Sequence, residues 1–298
     1  MLHKLYTISS RPKTAATERW CREPVRSLKG LEVAIFNVQR YFPLFKRKFF
    51  GYGAYTLTPR KLVKRSNENV RLTEALTMGF IAKNTSIPVP RVIDVFEFKG
   101  ETYLVQEFID GHVLEDVWLK LTPDQQTSAV DQLKDYLDQL RALKPTEPGK
   151  VQAVDGRGLT DRRVSRGGEW GPFNTHEEFG DFSFRGLVKH NLEKYPDARE
   201  LYAKVEGRKW KTVFAHGDFG PHNVLWKDGR IVAVIDWEFA GWFPEYWDYC
   251  RAWIVSGSVE HVARRYTCWK MLDKVIDRYP DELAVEIFLL QNFVGLDF

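Results

Sequence analysis

The stretch Val213-Phe-Ala-His216-Gly-Asp218-Phe-Gly-Pro-His222-Asn223-Val-Leu-Trp-Lys227-Asp228-Gly229-Arg-Ile231-Val-Ala-Val-Ile235-Asp236-Trp237 decides the reading of this 298-residue chain. A short apolar run leads into a loop carrying His216, Asp218, His222 and Asn223. The pair Val224-Leu225 then leads to a turn at Lys227-Asp228-Gly229, and the apolar run Ile231 to Ile235 delivers Asp236. Asp-Gly between two β-type apolar runs is a strong hairpin signal. The spacing therefore predicts that Asp218, Asn223 and Asp236 surround one small space at one end of a two-stranded unit.

Two carboxylates and an amide oxygen with no cysteine nearby suit a hard, oxygen-seeking cation such as Mg²⁺ better than zinc. A Mg²⁺ held by few protein ligands normally takes the rest from phosphates and water. Phosphoryl transfer also needs a carboxylate near the attacking hydroxyl, and protein kinases supply an Asp followed by an Asn on one catalytic loop. His216-Gly-Asp218-Phe-Gly-Pro-His222-Asn223, followed by Ile235-Asp236-Trp237-Glu238, resembles the aminoglycoside phosphotransferase and choline kinase group of protein-kinase-like enzymes. A second reading makes His216, Asp218 and His222 ligands of a transition metal in a hydrolase, which leaves Asn223 and Asp236 without a role.

The resemblance covers roughly residues 50 to 250 and implies an α+β, two-lobed fold. After an irregular lead-in over 1–25, an N-terminal lobe (26–108) with an antiparallel sheet and a helix binds nucleotide. A larger, mainly helical lobe (109–298) carries catalysis and the acceptor. The resemblance further implies ATP and Mg²⁺, with Asp218 as catalytic base and Asn223 and Asp236 on the metal. His216 becomes a scaffold residue. In protein kinases a strand lysine contacts the phosphates and is held by a glutamate on the next helix, and Lys64 and Glu74 stand in that order. Gln106, Glu107 and Phe108 become the hinge that meets adenine through backbone groups. Asp-Trp-Glu replaces the protein-kinase Asp-Phe-Gly and no Ala-Pro-Glu follows, so the acceptor is expected to be a small-molecule hydroxyl. A nucleotide-binding pseudokinase with damaged chemistry is the other outcome, disfavoured because Asp218, Asn223 and Asp236 are intact.

Composition agrees with a soluble globular chain: 44% hydrophobic and 28% charged residues. The net charge of +4 comes without a lysine-arginine block, so nucleic-acid binding is not indicated. No run approaches the roughly 20 apolar residues of a membrane span. The aromatic strip Val33 to Phe50, broken by Pro43, reads as packing, with an interfacial helix as the other option. Cys21, Cys250 and Cys268 fit neither a zinc site nor a disulfide framework, which points to a reduced, cytoplasmic compartment.

Elsewhere the pattern predicts a glycine turn at Gly51 and Gly53, strands over Ala54–Thr58 and Lys61–Lys64, a helix from Val70 and strands over Arg91–Phe98 and Thr102–Phe108. Thr122-Pro-Asp-Gln125 has the form of a capping box opening a long amphipathic helix. Residues 145–185 lack periodicity, which suits a binding loop or lid, and Arg157, Arg162, Arg163 and Arg166 fit either anion contacts or an ordinary solvated surface. Two helices are expected over 182–195 and 196–206, and a last one over 281–294. Trp237, Trp242 and Trp247 with Glu238, Glu245 and Asp248 suggest a site for a cationic amine acceptor, although each aromatic alone reads as core and Asp248 as structural.

Overall fold

A computed structural model describes residues 53–294, apart from 67–69, 162–163, 165–167, 184 and 255–258, together with 27, 29, 32–33 and 35–37. The lead-in over 1–25, most of the aromatic strip from Val33 to Phe50, the first glycine of the expected turn, and Arg162, Arg163 and Arg166 lie outside the described residues.

Strands β1 (Tyr55–Thr58), β2 (Lys61–Ser66), β3 (Val92–Phe98) and β4 (Glu101–Glu107) form an antiparallel sheet in the order β1-β2-β4-β3. Lys99 and Gly100, both at positive φ, make the tight β3–β4 turn that a twisted hairpin demands. Alternation sorts the side chains. Tyr55, Leu57, Val63, Phe96, Tyr103 and Val105 pack on one face, where Phe36 lies edge-on to Phe96 and Tyr103. Val95 and Leu104 turn the other way, onto Ala75, Met78 and Ile81 of helix α1 (Val70–Asn84). Lys64 is the register partner of Leu104, so it shares the α1 face. The prolines of Ile87-Pro-Val-Pro90 carry no N–H, and Pro88 serves as an acceptor: Val234 N–H donates to its carbonyl at 2.7 Å.

Beyond the sheet the chain is mainly helical. Strand β5 (His112–Val113) precedes α2 (Leu114–Val117) and α3 (Pro123–Ala142). The reciprocal capping box at α3 forms as expected, with Gln125 N–H on Thr122 Oγ1 and Thr122 N–H on Gln125 Oε1. Val130, Leu133, Leu137 and Leu140 are buried along one face of that helix.

The next expectation needs correction. Residues 182–195 do not form one helix, because α4 (His176–Phe182) begins inside the stretch read as irregular and only α5 (Arg185–Lys189) follows before α6 (Pro196–Val205). Thr175 starts α4 by accepting the Glu178 N–H, a Thr-x-x-Glu signal that the glycine-rich context obscured. Described residues of the 145–175 stretch are tied down by bridges: Val151 pairs with Phe173, Gln152 with Trp242 and Leu159 with Trp170. Trp170 stacks on Phe179, and Arg157 is exposed.

Strand β6 (Thr212–Ala215) pairs with β9 (Gly241–Pro244), while β7 (Val224–Lys227) and β8 (Arg230–Val234) form the expected hairpin and extend to β5. Asp228 and Gly229 both adopt positive φ in its turn. Helices α7 (Trp247–Trp253), α8 (Val259–Leu272) and α9 (Pro280–Leu289) complete the chain, α9 passing into a π turn over Leu290–Val294. No helix among the described residues is long and apolar enough to cross a membrane.

Candidate active site

The site forms where β6 hands the chain to the loop of residues 216–223. Gly217 turns it at φ +79°, with its α-carbon so close to the Phe239 carbonyl that a Cβ would lie 2.4 Å from that oxygen. The turn is held from beneath by Asp248, whose carboxylate accepts the N–H of Gly217 at 2.8 Å and of His216 at 3.1 Å. Burial pushes the Asp248 pKa up to about 6, against the pull of these two N–H groups. Asp248 is therefore structural, as the alternative reading of that residue had it.

His216 is fully buried, its ring 4.5 Å from that of Trp237. Nδ1 accepts the Asp218 N–H at 3.3 Å, so the proton sits on Nε2, which donates to the Ile235 carbonyl at 3.0 Å. Burial lowers its pKa to about 4, leaving a neutral imidazole that ties the loop to the end of β8. With both nitrogens engaged, His216 has no lone pair for a metal. The hydrolase reading, which required His216 and His222 as ligands, fails on this geometry.

Asp218 stays about a quarter exposed. Its Oδ2 lies 3.2 Å from His222 Nε2 and 3.2 Å from Asn223 Nδ2, and Asn223 Nδ2 also donates to the Asp218 carbonyl at 3.0 Å. These bonds spend the Asn223 amide nitrogen on the loop. Ile235 N–H donates to the Asn223 carbonyl at 2.9 Å, which clips the end of β8 to the loop and brings Asp236 alongside. Asp236 takes a left-handed conformation, φ 66° and ψ 57°, a backbone state uncommon outside glycine that often marks functional sites.

Lys64 crosses from β2 to complete the cluster. Its Nζ lies 2.5 Å from Asp236 Oδ1 and 2.5 Å from Glu74 Oε1. Burial pulls its pKa down, but Asp236 and Glu74 outweigh that and raise it. Lys64 in turn holds Asp236 below the usual carboxylate range against the effect of burial. Helix α1 starts close enough to β2 for Glu74, ten positions on, to reach Lys64.

Arg71 was not foreseen. Three residues before Glu74, it is buried and bonds Glu74 Oε2 at 2.8 Å and Glu238 Oε2 at 2.5 Å. Oxygens of Glu74, Asp236 and Glu238 lie within 4.8 Å of one another, and among the described residues this is the one cluster of acidic, His or Cys side chains arranged to hold a cation. It contains no histidine. Burial, then Asp236, pushes the Glu238 pKa up to about 7, with Arg71 opposing.

Glu238 therefore belongs to this cluster and not to an amine box. Glu245 accepts Lys211 N–H and Tyr279 O–H, Trp237, Trp242 and Trp247 are buried in the core, and the Trp247 face is covered by the Arg251 guanidinium at 4.0 Å. The aromatic and acidic segment is spent on folding, which removes the residue basis for an amine site there. At the expected hinge, Glu107 N–H donates to the Arg91 carbonyl and Phe108 N–H to that of Arg60, while Gln106 is buried on β4.

The family model described as "Phosphotransferase enzyme family" (APH) matches residues 60–268. Hygromycin-B 4-O-kinase of Escherichia coli is 26% identical over 159 residues, which span 53% of this chain and 45% of that protein. Among solved structures, aminoglycoside phosphotransferase APH(4)-Ia superposes with a TM-score of 0.59 at 16% identity, covering 88% of this chain and 91% of its own. A streptomycin-ATP complex of APH(2")-IIa gives 0.54 at 15% identity, covering 90% and 88%. A putative fructosamine-3-kinase from Haemophilus somnus 129PT gives 0.51 at 14% identity, covering 86% of each chain. These likenesses establish the two-lobed kinase-like fold.

Proposed function

Since this chain belongs to the phosphotransferase enzyme family, we propose that it moves the γ-phosphoryl group of ATP, with Mg²⁺, to a hydroxyl of a small molecule. The observation that carries the reading is the convergence of Lys64, Glu74 and Asp236, drawn from three elements, beside the loop that holds Asp218 and Asn223. Nothing in the folding of a sheet on a helical body requires a lysine between two acids at that junction.

The donor set fits the cation. The Asp236 carboxylate, about a third exposed, and the Asn223 amide oxygen are hard ligands, and the amide nitrogen is already engaged elsewhere. Asp236 and Asn223 would hold Mg²⁺ there, and the ion would supply screening of the phosphate charge. Lys64 would position the phosphates while Glu74, itself braced by Arg71, keeps the lysine aimed. Asp218 would accept or orient the acceptor's hydroxyl proton, its carboxylate steered by His222 and Asn223. Most of the rate would come from positioning and charge stabilisation, with base catalysis adding around 10² to 10⁴.

The relatives' names speak of hygromycin B and streptomycin, and of fructosamine. All are hydroxylated amines, so an acceptor of that class, aminoglycoside-like, choline-like or a glycated amine, is the first to try. The test is ATP consumption with Mg²⁺ over a panel of aminoglycosides, amino alcohols and sugars, with Asp218→Asn as the blank and nucleotide binding measured in parallel. Turnover with one acceptor class, at least 10²-fold lower in the variant, is expected. Equal turnover in the variant would remove Asp218 as the base; absence of nucleotide binding would remove the phosphotransferase reading itself.

A further inference from the structure

We infer that the Gln106 side chain reads the substituent at C6 of the purine, accepting a hydrogen bond from a 6-amino group and so favouring adenine over 6-oxo purines. This rests on the phosphotransferase reading and specifies the nucleotide it uses.

Three observations carry it. Gln106 is 4% exposed, and among the described residues its Oε1 is buried with no hydrogen-bond partner. Buried polar atoms are nearly always bonded, because leaving one unmet costs most of the desolvation of that group, so an orphan in a well-packed strand asks for a donor from elsewhere. The neighbouring backbone does not supply one, since the Glu107 and Phe108 N–H groups are committed to Arg91 and Arg60.

The register then says where Gln106 points. In the β2–β4 pairing Lys64 faces Leu104 and Leu62 faces Gln106, and directly opposed residues of an antiparallel pair lie on the same side of the sheet. Gln106 therefore shares its face with Lys64, whose ammonium reaches Asp236 and Glu74. Two strand residues, about 7 Å, separate them along the sheet. Lys64 marks the phosphate end of the cleft, and Gln106 lies on the same face toward the C-terminal end of β4, where the chain leaves the sheet. A nucleotide with its phosphates at Lys64 and its base toward that end brings the purine's polar edge against an acceptor that has no other use.

The third point is chemical. A core position on this face would be filled at less cost by Leu or Met, as at Leu104. An amide there makes sense only where a partner arrives.

The test is a binding cycle on the full chain by calorimetric titration with Mg²⁺, independent of turnover. ADP is compared with purine riboside 5′-diphosphate, which differs only in lacking the 6-amino group, for the wild type and for Gln106→Leu, with Gln106→Met as a second variant should leucine misfold. The expected result is a coupling of about 5-fold between side chain and amino group, the size of one net hydrogen bond, with IDP bound more weakly than ADP by the wild type. Both variants should unfold at or above the wild-type temperature, since an orphan has been removed. Equal loss of ADP and of its 6-deamino analogue, leaving the coupling at one, would overturn the proposal and make Gln106 a packing residue. Failure of the wild type to bind any of the purine nucleotides would instead sink the phosphotransferase reading, and this inference with it.

Discussion

His216 is the residue whose environment has the clearest consequence in solution. In the unfolded chain it takes a proton at an ordinary pKa of 6.5; folded, buried and bonded at both nitrogens, it resists down to about 4. The unfolded state therefore binds more protons between these values, so the stabilising contribution is fully present above pH 6.5 and is lost as pH falls towards 4. The window spans 2.5 pH units at 1.36 kcal/mol each, about 3 kcal/mol. His216→Gln should thus be destabilised relative to wild type at pH 7, and that difference should shrink by roughly this amount at pH 4, read by urea unfolding at a series of pH values. A difference independent of pH would mean that His216 is not held neutral. Asp248 and Glu238, whose raised pKa values act in the opposite sense, stand in both proteins and cancel from the comparison. The scaffold role of His216 was legible because a familiar motif surrounds it. Arg71 was not: an arginine opening a helix looks like a solvated charge, and only the fold reveals that Glu238, 167 positions away, closes on it.

At the scale of elements, the hairpin over Val224 to Val234 was readable from Asp228-Gly229 alone, because the turn chemistry is local. The loop before it was readable as a motif but not as a shape, since Gly217 answers to Phe239 from the far side of the hairpin. Two alanine substitutions separate the causes. Gly229 and Gly217 have almost the same φ, +80° and +79°, but a Cβ at Gly229 meets nothing within 4 Å while one at Gly217 meets the Phe239 carbonyl oxygen at 2.4 Å. Gly229→Ala should cost only the left-handed backbone penalty, about 1 kcal/mol. Gly217→Ala adds a backbone clash that no side-chain rotation relieves, so it should cost at least twice as much and displace Asp218, lowering turnover even where the protein remains folded. Denaturant unfolding of both variants checks this, and equal costs would refute it. Helix α4 shows the opposite failure of legibility. Its Thr175-x-x-Glu178 signal lay in plain sight, yet the surrounding Gly, Pro and Arg residues give no periodicity, because what holds the described residues there is non-local: Gln152 pairs with Trp242 of β9, and Trp170 stacks on Phe179.

For the molecule as a whole, the Lys64–Asp236 contact is the point at which the sheet and the helical body share a site, joined across 172 positions of chain. The resemblance placed Lys64 and Asp236 in one site, but their direct contact was not foreseen, and no pattern in the intervening residues specifies it. Its arrangement leads to a prediction about ligand linkage. A nucleotide-metal complex that binds only the folded chain adds RT ln(1 + [L]/Kd) to its stability, about 2.7 kcal/mol at a hundred times Kd. Wild-type protein should gain that much with MgADP, seen as a higher unfolding midpoint. Asp236→Ala should lose most of the gain, because the site then lacks its carboxylate ligand while Lys64 keeps Glu74 and Glu74 keeps Arg71, so the lysine stays in place. Repeating both titrations with EDTA in place of Mg²⁺ separates metal from phosphate contacts: the wild type should fall towards the variant, and the variant should scarcely change. An equal midpoint shift in the two proteins with Mg²⁺ would place the nucleotide away from Asp236 and would dissolve the link between the two halves of the chain on which the catalytic reading stands.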